Sequence, residues 1–375
     1  MASADERFPR TIQVLQAGME QGLHSGAQVY VSQNFLPVAN FAVGENRPGV
    51  PLTPDTRMLW LSAGKPVTAV AVLQFIERGD FTLETLVSDL LPEFTGPGTE
   101  RITIWNLLTH TAGLKPITTG FPELPWDDII QRICAAGLKR DQTPGAEVGY
   151  DPGRTWFLLG EILQRRDGRK IDQIVRGEVL EPVGMLNSWM ATPPEEYDAD
   201  PERIGVTYTS KQGVLTANRS IQREMTFRPS PGSSMRGPIR ELGVFYEMLL
   251  RNGKTQFGQQ LLLPETVKAM TSRQRQGKLD LSFQRTIDFG LGAILNSARY
   301  NEGIVPYGYG LFAADSTFGH GGSQSAIGFA DPVNQVVVAA ITNGMPGDDL
   351  HNERFQKLNT AIYADLGLTT SSESA

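Results

Sequence analysis

Apolar positions along the chain fall into three regimes. Near the N-terminus, Ile12, Leu15 and Met19, with Val14 beside them, recur at helical spacing. That predicts a helix over 8–22, ending near Gly22. Residues 28–32 and 38–43 are short apolar runs separated by a turn, which predicts two paired strands. Residues 46–55 carry three prolines and read as an irregular connection. Beyond Met58-Leu59-Trp60-Leu61 the pattern changes. From Val67 to Ile76 the chain is apolar almost all the way round a helical wheel. A helix without a polar face is a buried helix. Gly79 then offers a left-handed residue to end it.

A second regime follows Gly79. Helical patterns cover 84–91, 103–108, 126–136, 155–165 and 171–180, with Pro or Gly turns between them. No alternating strand stands out between about 85 and 215, so this region reads as an all-helical insertion. The Pro- and Ser-rich loop 228–234 returns the chain to the first body, and helices are expected at 240–250 and 264–270. The third regime is strand-rich. Residues 317–323, 326–330 and 336–341 read as strands, with a turn at 331–334, and a last helix spans 352–366. Residues 368–375 are polar, as a frayed tail would be. Consecutive strands with short turns are antiparallel. The expectation is an α+β fold: an antiparallel sheet flanked by helices, built from 1–85 and 229–375, with a helical domain inserted at 86–228. Ligand sites favour such domain junctions.

Composition narrows the function. The chain has 375 residues, 40% hydrophobic and 20% charged, as in soluble globular proteins. A net charge of −7 argues against nucleic acid or an anionic membrane as partner. No apolar run is long enough to span a bilayer. Residues 1–7 are polar with no apolar run behind them, so no signal peptide is expected and the cytoplasm is the expected compartment. Cys134 is the only cysteine and sits among Ile129, Ile130 and Ile133, which reads as core packing. Histidines at 24, 110, 320 and 351 are too scattered for a metal site. Neither a metal nor an organic cofactor is expected.

The candidate chemistry lies at the head of the buried helix, in Ser62-Ala63-Gly64-Lys65. Ser62 fits an N-cap, and Pro66 falls in the first turn, where a missing N–H costs nothing. Lys65 lies one turn along on the same face. A desolvated amine loses proton affinity and can serve as a base. Hydroxyl and amine together suit nucleophilic acyl chemistry. The motif is short, and an N-capping serine beside a solvated lysine is the plain alternative.

Further phrases set this motif in context. Pro51-Leu52-Thr53-Pro54-Asp55-Thr56 leads into Ser62-x-x-Lys65-Pro66-Val67-Thr68-Ala69. Leu107-Leu108-Thr109-His110-Thr111-Ala112-Gly113-Leu114, Leu180-Glu181-Pro182-Val183-Gly184-Met185 and Phe318-Gly319-His320-Gly321-Gly322 follow in order. The set resembles the serine β-lactamase and penicillin-binding-protein superfamily, on the class C β-lactamase-like branch that includes family VIII carboxylesterases. The resemblance implies Ser62 as nucleophile, with Lys65 and Tyr150 sharing its proton. It implies His320, Gly321, Gly322 and Ser323 as a substrate and oxyanion strand, with the N–H of Ser323 as one donor and that of Ser62 as the other. The missing side chains of Gly321 and Gly322 would let substrate lie against that strand.

Two departures matter. The family's Tyr-x-Asn is here Tyr150-Asp151-Pro152, and proline cannot orient a substrate amide. His320 stands where β-lactamases carry lysine. Plain alternatives are a loop tyrosine packed on Trp156 for Tyr150, and a strand-end histidine satisfied by backbone for His320. Asp151 reads as a turn residue, and His110 as a fixed loop contact. The expected function is a serine hydrolase of carboxylic esters acting on a small-molecule ester or acyl substrate. The rivals are an acyltransferase of the same fold, a β-lactamase or D-Ala-D-Ala peptidase, and an inactive scaffold.

Overall fold

A computed structural model describes residues 4–139, 142–219, 222–301 and 303–369. The polar tail expected from 368 onward lies mostly outside them. The main sheet has seven strands. In space they run Ile294–Leu295, Phe318–Gly322, Ala326–Asp331, Val336–Thr342, Gly26–Gln33, Leu36–Arg47 and Val50–Pro51. Every neighbouring pair is antiparallel. The two chain ends meet at its centre, where Val29 stands opposite Ala340.

Strand Val336–Thr342 is buried throughout, and its apolar run has no polar alternation because both faces are covered. Its side chains divide by parity. Val337, Ala339 and Ile341 join Leu242, Phe245 and Tyr246 of the helix Ile239–Leu250. Val336, Val338 and Ala340 join Ile12 and Leu15 of Pro9–Glu20, and Phe355, Leu358 and Ile362 of Asp348–Asp365. The helix Lys65–Glu77 lies in the first of these clusters, and every residue from Lys65 to Phe75 is buried, as its uniformly apolar sequence predicts. Gly79 supplies the left-handed terminus at φ 82°.

The head of that helix differs from expectation. Residues Leu61–Gly64 form a 3-10 turn, and the α-helix starts only at Lys65, with Gly64 as its cap. Ser62 is therefore not an N-cap. Leu61 sits at φ 52°, so the chain reverses sharply before Ser62, and the Ala63 N–H closes a three-residue ring on the Trp60 carbonyl. Strand Met58–Leu59, paired with Arg236–Gly237, and the Trp60 Nε1–H bond to the Gly237 carbonyl fix this entry.

Residues 86–228 are mainly helical, with Trp126–Ala136 and Arg154–Asp167 as the long elements. They are not all-helical. Tyr208–Lys211 and Val214–Ala217 form a hairpin within 86–228, and Tyr208 and Thr209 pair in parallel with Gly344 and Met345. Gln212 and Gly213, at φ 50° and 79°, make the two-residue turn that a tight hairpin requires. Trp156, Phe157 and Leu158 pack in the same continuous core as Val67 and Val70. Among the described residues, no helix is long and apolar enough to cross a membrane.

Candidate active site

Ser62, Lys65 and Tyr150 converge. The Ser62 oxygen lies 2.9 Å from Lys65 Nζ and 2.8 Å from the Tyr150 hydroxyl. The 3-10 turn and the first helical turn bring the first two together. Tyr150 arrives from the irregular segment that precedes Arg154–Asp167.

Lys65 is wholly buried. Its amine also reaches the carbonyls of Pro152, at 2.9 Å, and Gly232, at 2.6 Å. Burial pulls its pKa down to about 7, against a smaller opposing pull from the Asp151 charge. The neutral amine has two hydrogens and one lone pair. Two carbonyls can take both hydrogens, which leaves the lone pair for the Ser62 hydroxyl proton. Gly232 is held in place through its neighbour, since Thr68 Oγ1 donates to the Pro231 carbonyl at 2.7 Å.

Tyr150 is pushed the other way. Burial first, then the nearby Tyr307, holds its phenol well above the ordinary tyrosine pKa. It remains protonated and donates to Ser62. Its ring packs against His110 (4.7 Å between centroids), Phe283 (4.9 Å) and His320 (5.8 Å), rather than chiefly on Trp156.

His320 is fully buried, and its Nδ1–H donates to the Gly321 carbonyl at 2.7 Å. Its Nε2 has no protein partner among the described residues. Burial, aided by the Lys65 charge, lowers its pKa to about 3, so the imidazole is neutral at physiological pH. A fixed positive charge is therefore absent from this position.

Gly321 and Gly322 differ from their expected role. A Cβ at 321 would stand 1.9 Å from Tyr307 Cδ1, and one at 322 would stand 2.1 Å from the Trp60 carbonyl. The protein itself fills both spaces, so these glycines permit close packing of the strand on Tyr307 and on the nucleophile turn. Ser323 does not continue the strand, which ends at Gly322, but opens the turn to Ala326. That turn begins beside the segment that carries Ser62.

His110 and Asp151 hold the loop, as expected. His110 Nδ1 accepts the Asp151 N–H at 3.0 Å, while Asp151 Oδ1 accepts the N–H groups of Gly153 and Arg154. Sequence reasoning missed three participants: the carbonyls of Pro152 and Gly232, and the ring of Tyr307. A carbonyl leaves no side-chain signature. Only the Ser-Pro-Gly composition of 230–232 hints at a shaped loop.

The Beta-lactamase family model matches residues 11–361. Penicillin-binding protein 4 of Amycolatopsis lactamdurans is 27% identical over 319 residues, covering 83% of this chain and 78% of that protein. Esterase EstB of Burkholderia gladioli is 29% identical over 190 residues, 45% of this chain and 46% of the esterase. Among solved structures, EstCE1, described as a hydrolase with promiscuous acyltransferase activity, superposes with a TM-score of 0.79 at 23% identity, covering 96% of this chain and 99% of that one.

Proposed function

The chain belongs to the Beta-lactamase family, and we propose that within it the protein hydrolyses carboxylic esters through an acyl-enzyme on Ser62. The observation that carries this reading is the Ser62 oxygen held between a buried amine and a protonated phenol, at 2.9 and 2.8 Å.

Lys65, whose pKa of about 7 leaves a large neutral fraction at neutral pH, takes the Ser62 proton as the oxygen bonds to the acyl carbon. The carbonyl oxygen becomes an anion, for which the N–H groups of Ser62 and Ser323 are the candidate donors. As the intermediate collapses, Tyr150 gives its proton to the departing alkoxide and recovers one from Lys65. A water then repeats the sequence on the acyl-enzyme: Lys65 takes one of its protons, Tyr150 protonates the departing Ser62 oxygen and recovers a proton from Lys65, and the carboxylic acid leaves with the water's other hydrogen.

Three features favour esters over β-lactams and D-alanyl peptides. Pro152 offers a carbonyl to Lys65 and has no side-chain amide for a substrate. His320 is neutral and cannot attract a substrate carboxylate as lysine does. EstB, named an esterase, is a relative at 29% identity. The similarity to a penicillin-binding protein supports the rival reading, and one comparison separates the two. The kcat/KM on p-nitrophenyl butyrate should exceed those on nitrocefin and a D-Ala-D-Ala peptide by orders of magnitude. If nitrocefin or the peptide matched the ester, the esterase reading would fall. Transfer to an alcohol would use the same acyl-enzyme. Hydrolysis predicts that added short-chain alcohols divert only a minor share of product.

A further inference from the structure

Tyr150 sits on a loop without regular structure, yet proton transfer needs its oxygen fixed to a fraction of an ångström. The groups that fix it come from a hairpin about 130 residues away. Strands Leu279–Asp280 and Arg285–Thr286 form this hairpin, and its tip faces the Tyr150 main chain. Asp280 Oδ1 accepts the Tyr150 N–H at 3.1 Å, and the Ser282 hydroxyl donates to the Tyr150 carbonyl at 2.9 Å. The Leu281 N–H donates to the Val148 carbonyl at 3.0 Å, and the Phe283 ring lies 4.9 Å from that of Tyr150. Both main-chain groups of one catalytic candidate are thus held by two side chains of one turn, Asp280 and Ser282.

The turn is itself anchored. Asp280 is wholly buried, and its other oxygen pairs with the buried Arg275 at 2.8 Å. Arg275 also donates to the carbonyls of Thr109 and Ile287. Asp280 Oδ1 further accepts the N–H groups of Ser282 and Phe283, which fixes the shape of the tip. A buried charge persists only where it is paired and hydrogen-bonded, and this one spends its hydrogen bonds on Tyr150 and on the turn that holds Tyr150.

We propose that the 280–283 turn is a positioning clamp for Tyr150, with Asp280 and Ser282 setting the phenol's alignment on Ser62 through its main chain. Neither residue touches Ser62, so both act through Tyr150. The inference rests on the role given to Tyr150 above.

The test is a double-mutant cycle. Ser282 is exposed, so its truncation carries little risk to folding. Ser282→Ala should lower kcat on p-nitrophenyl butyrate roughly tenfold with KM within about twofold, and Ser282→Thr, which keeps a hydroxyl, should restore it. Asp280→Ala, which removes the oxygen that holds the Tyr150 N–H, should lose roughly 100-fold. If Asp280→Ala does not fold, the Ser282 variants decide alone. In a Tyr150→Phe background, Ser282→Ala should cost nothing further in the rate of Ser62 labelling by a fluorophosphonate. An equal cost in both backgrounds, or none in the parent protein, overturns the clamp and leaves the role of Tyr150 standing. Full activity of Tyr150→Phe itself overturns that role, and the clamp with it.

Discussion

Replacing Lys65 by methionine should change how stability depends on pH. The amine is wholly buried and its pKa falls from 10.5 to about 7 on folding. Between those values the unfolded chain binds the proton that the folded chain has released. Stability therefore rises with pH across that window, and the full penalty of the buried amine applies below about pH 7. At roughly 1.4 kcal/mol per pH unit, the penalty is about 4 kcal/mol at pH 7 and about 2 kcal/mol at pH 9. The methionine variant lacks this titration. It also strands the carbonyls of Pro152 and Gly232, at a cost of about 1–3 kcal/mol each that does not vary with pH. The stability of the parent relative to Lys65→Met should thus increase by about 2 kcal/mol between pH 7 and pH 9. Urea unfolding of both proteins at the two pH values measures it. A difference that stays constant within about 0.5 kcal/mol would refute a lysine neutralised by burial.

Other outcomes follow from the same geometry. The kcat/KM for an activated ester should rise with pH through about 7 as Lys65 loses its proton, and Lys65→Met should abolish both the activity and that limb. No limb should come from His320, whose pKa is about 3, so His320→Gln should leave the profile's midpoint unmoved. Gly321→Ala should destabilise by about 1–3 kcal/mol in thermal or urea unfolding, because its new methyl meets the Tyr307 ring. Tyr307→Ala in that background should recover part of the loss.

Much of this was legible in the sequence because local signals agreed. The nucleophile helix announces itself by an apolar circumference, which only a fully covered helix can have. Helices Trp126–Ala136 and Pro264–Met270 fall where their spacing places them, since each has one clear apolar face and a sharp boundary. The hairpin at Tyr208–Ala217 escaped because its strands are four residues long and the second is largely exposed, so neither carries a run of buried positions. Ser62, Lys65 and Tyr150 lie together as their motifs imply, but their surroundings differ from the sequence reading. An N-cap and a 3-10 turn make similar demands on Ser62, and only the left-handed Leu61 separates them. The glycines at 321 and 322 looked like room for a substrate, whereas a tyrosine from a distant loop and the Trp60 carbonyl occupy that room. The groups that hold Tyr150 come from residues 280–283, and long-range contacts of that kind leave no periodic trace in a single chain.

The central claim is that Ser62 forms a covalent acyl-enzyme. Mass spectrometry of the intact protein, quenched during turnover of p-nitrophenyl butyrate, tests it most directly. The account predicts a butyryl adduct that maps to the peptide containing Ser62, disappears in Ser62→Ala, and accumulates less when Lys65 is replaced. An adduct on any other residue, or rapid turnover of the ester by Ser62→Ala, would contradict it.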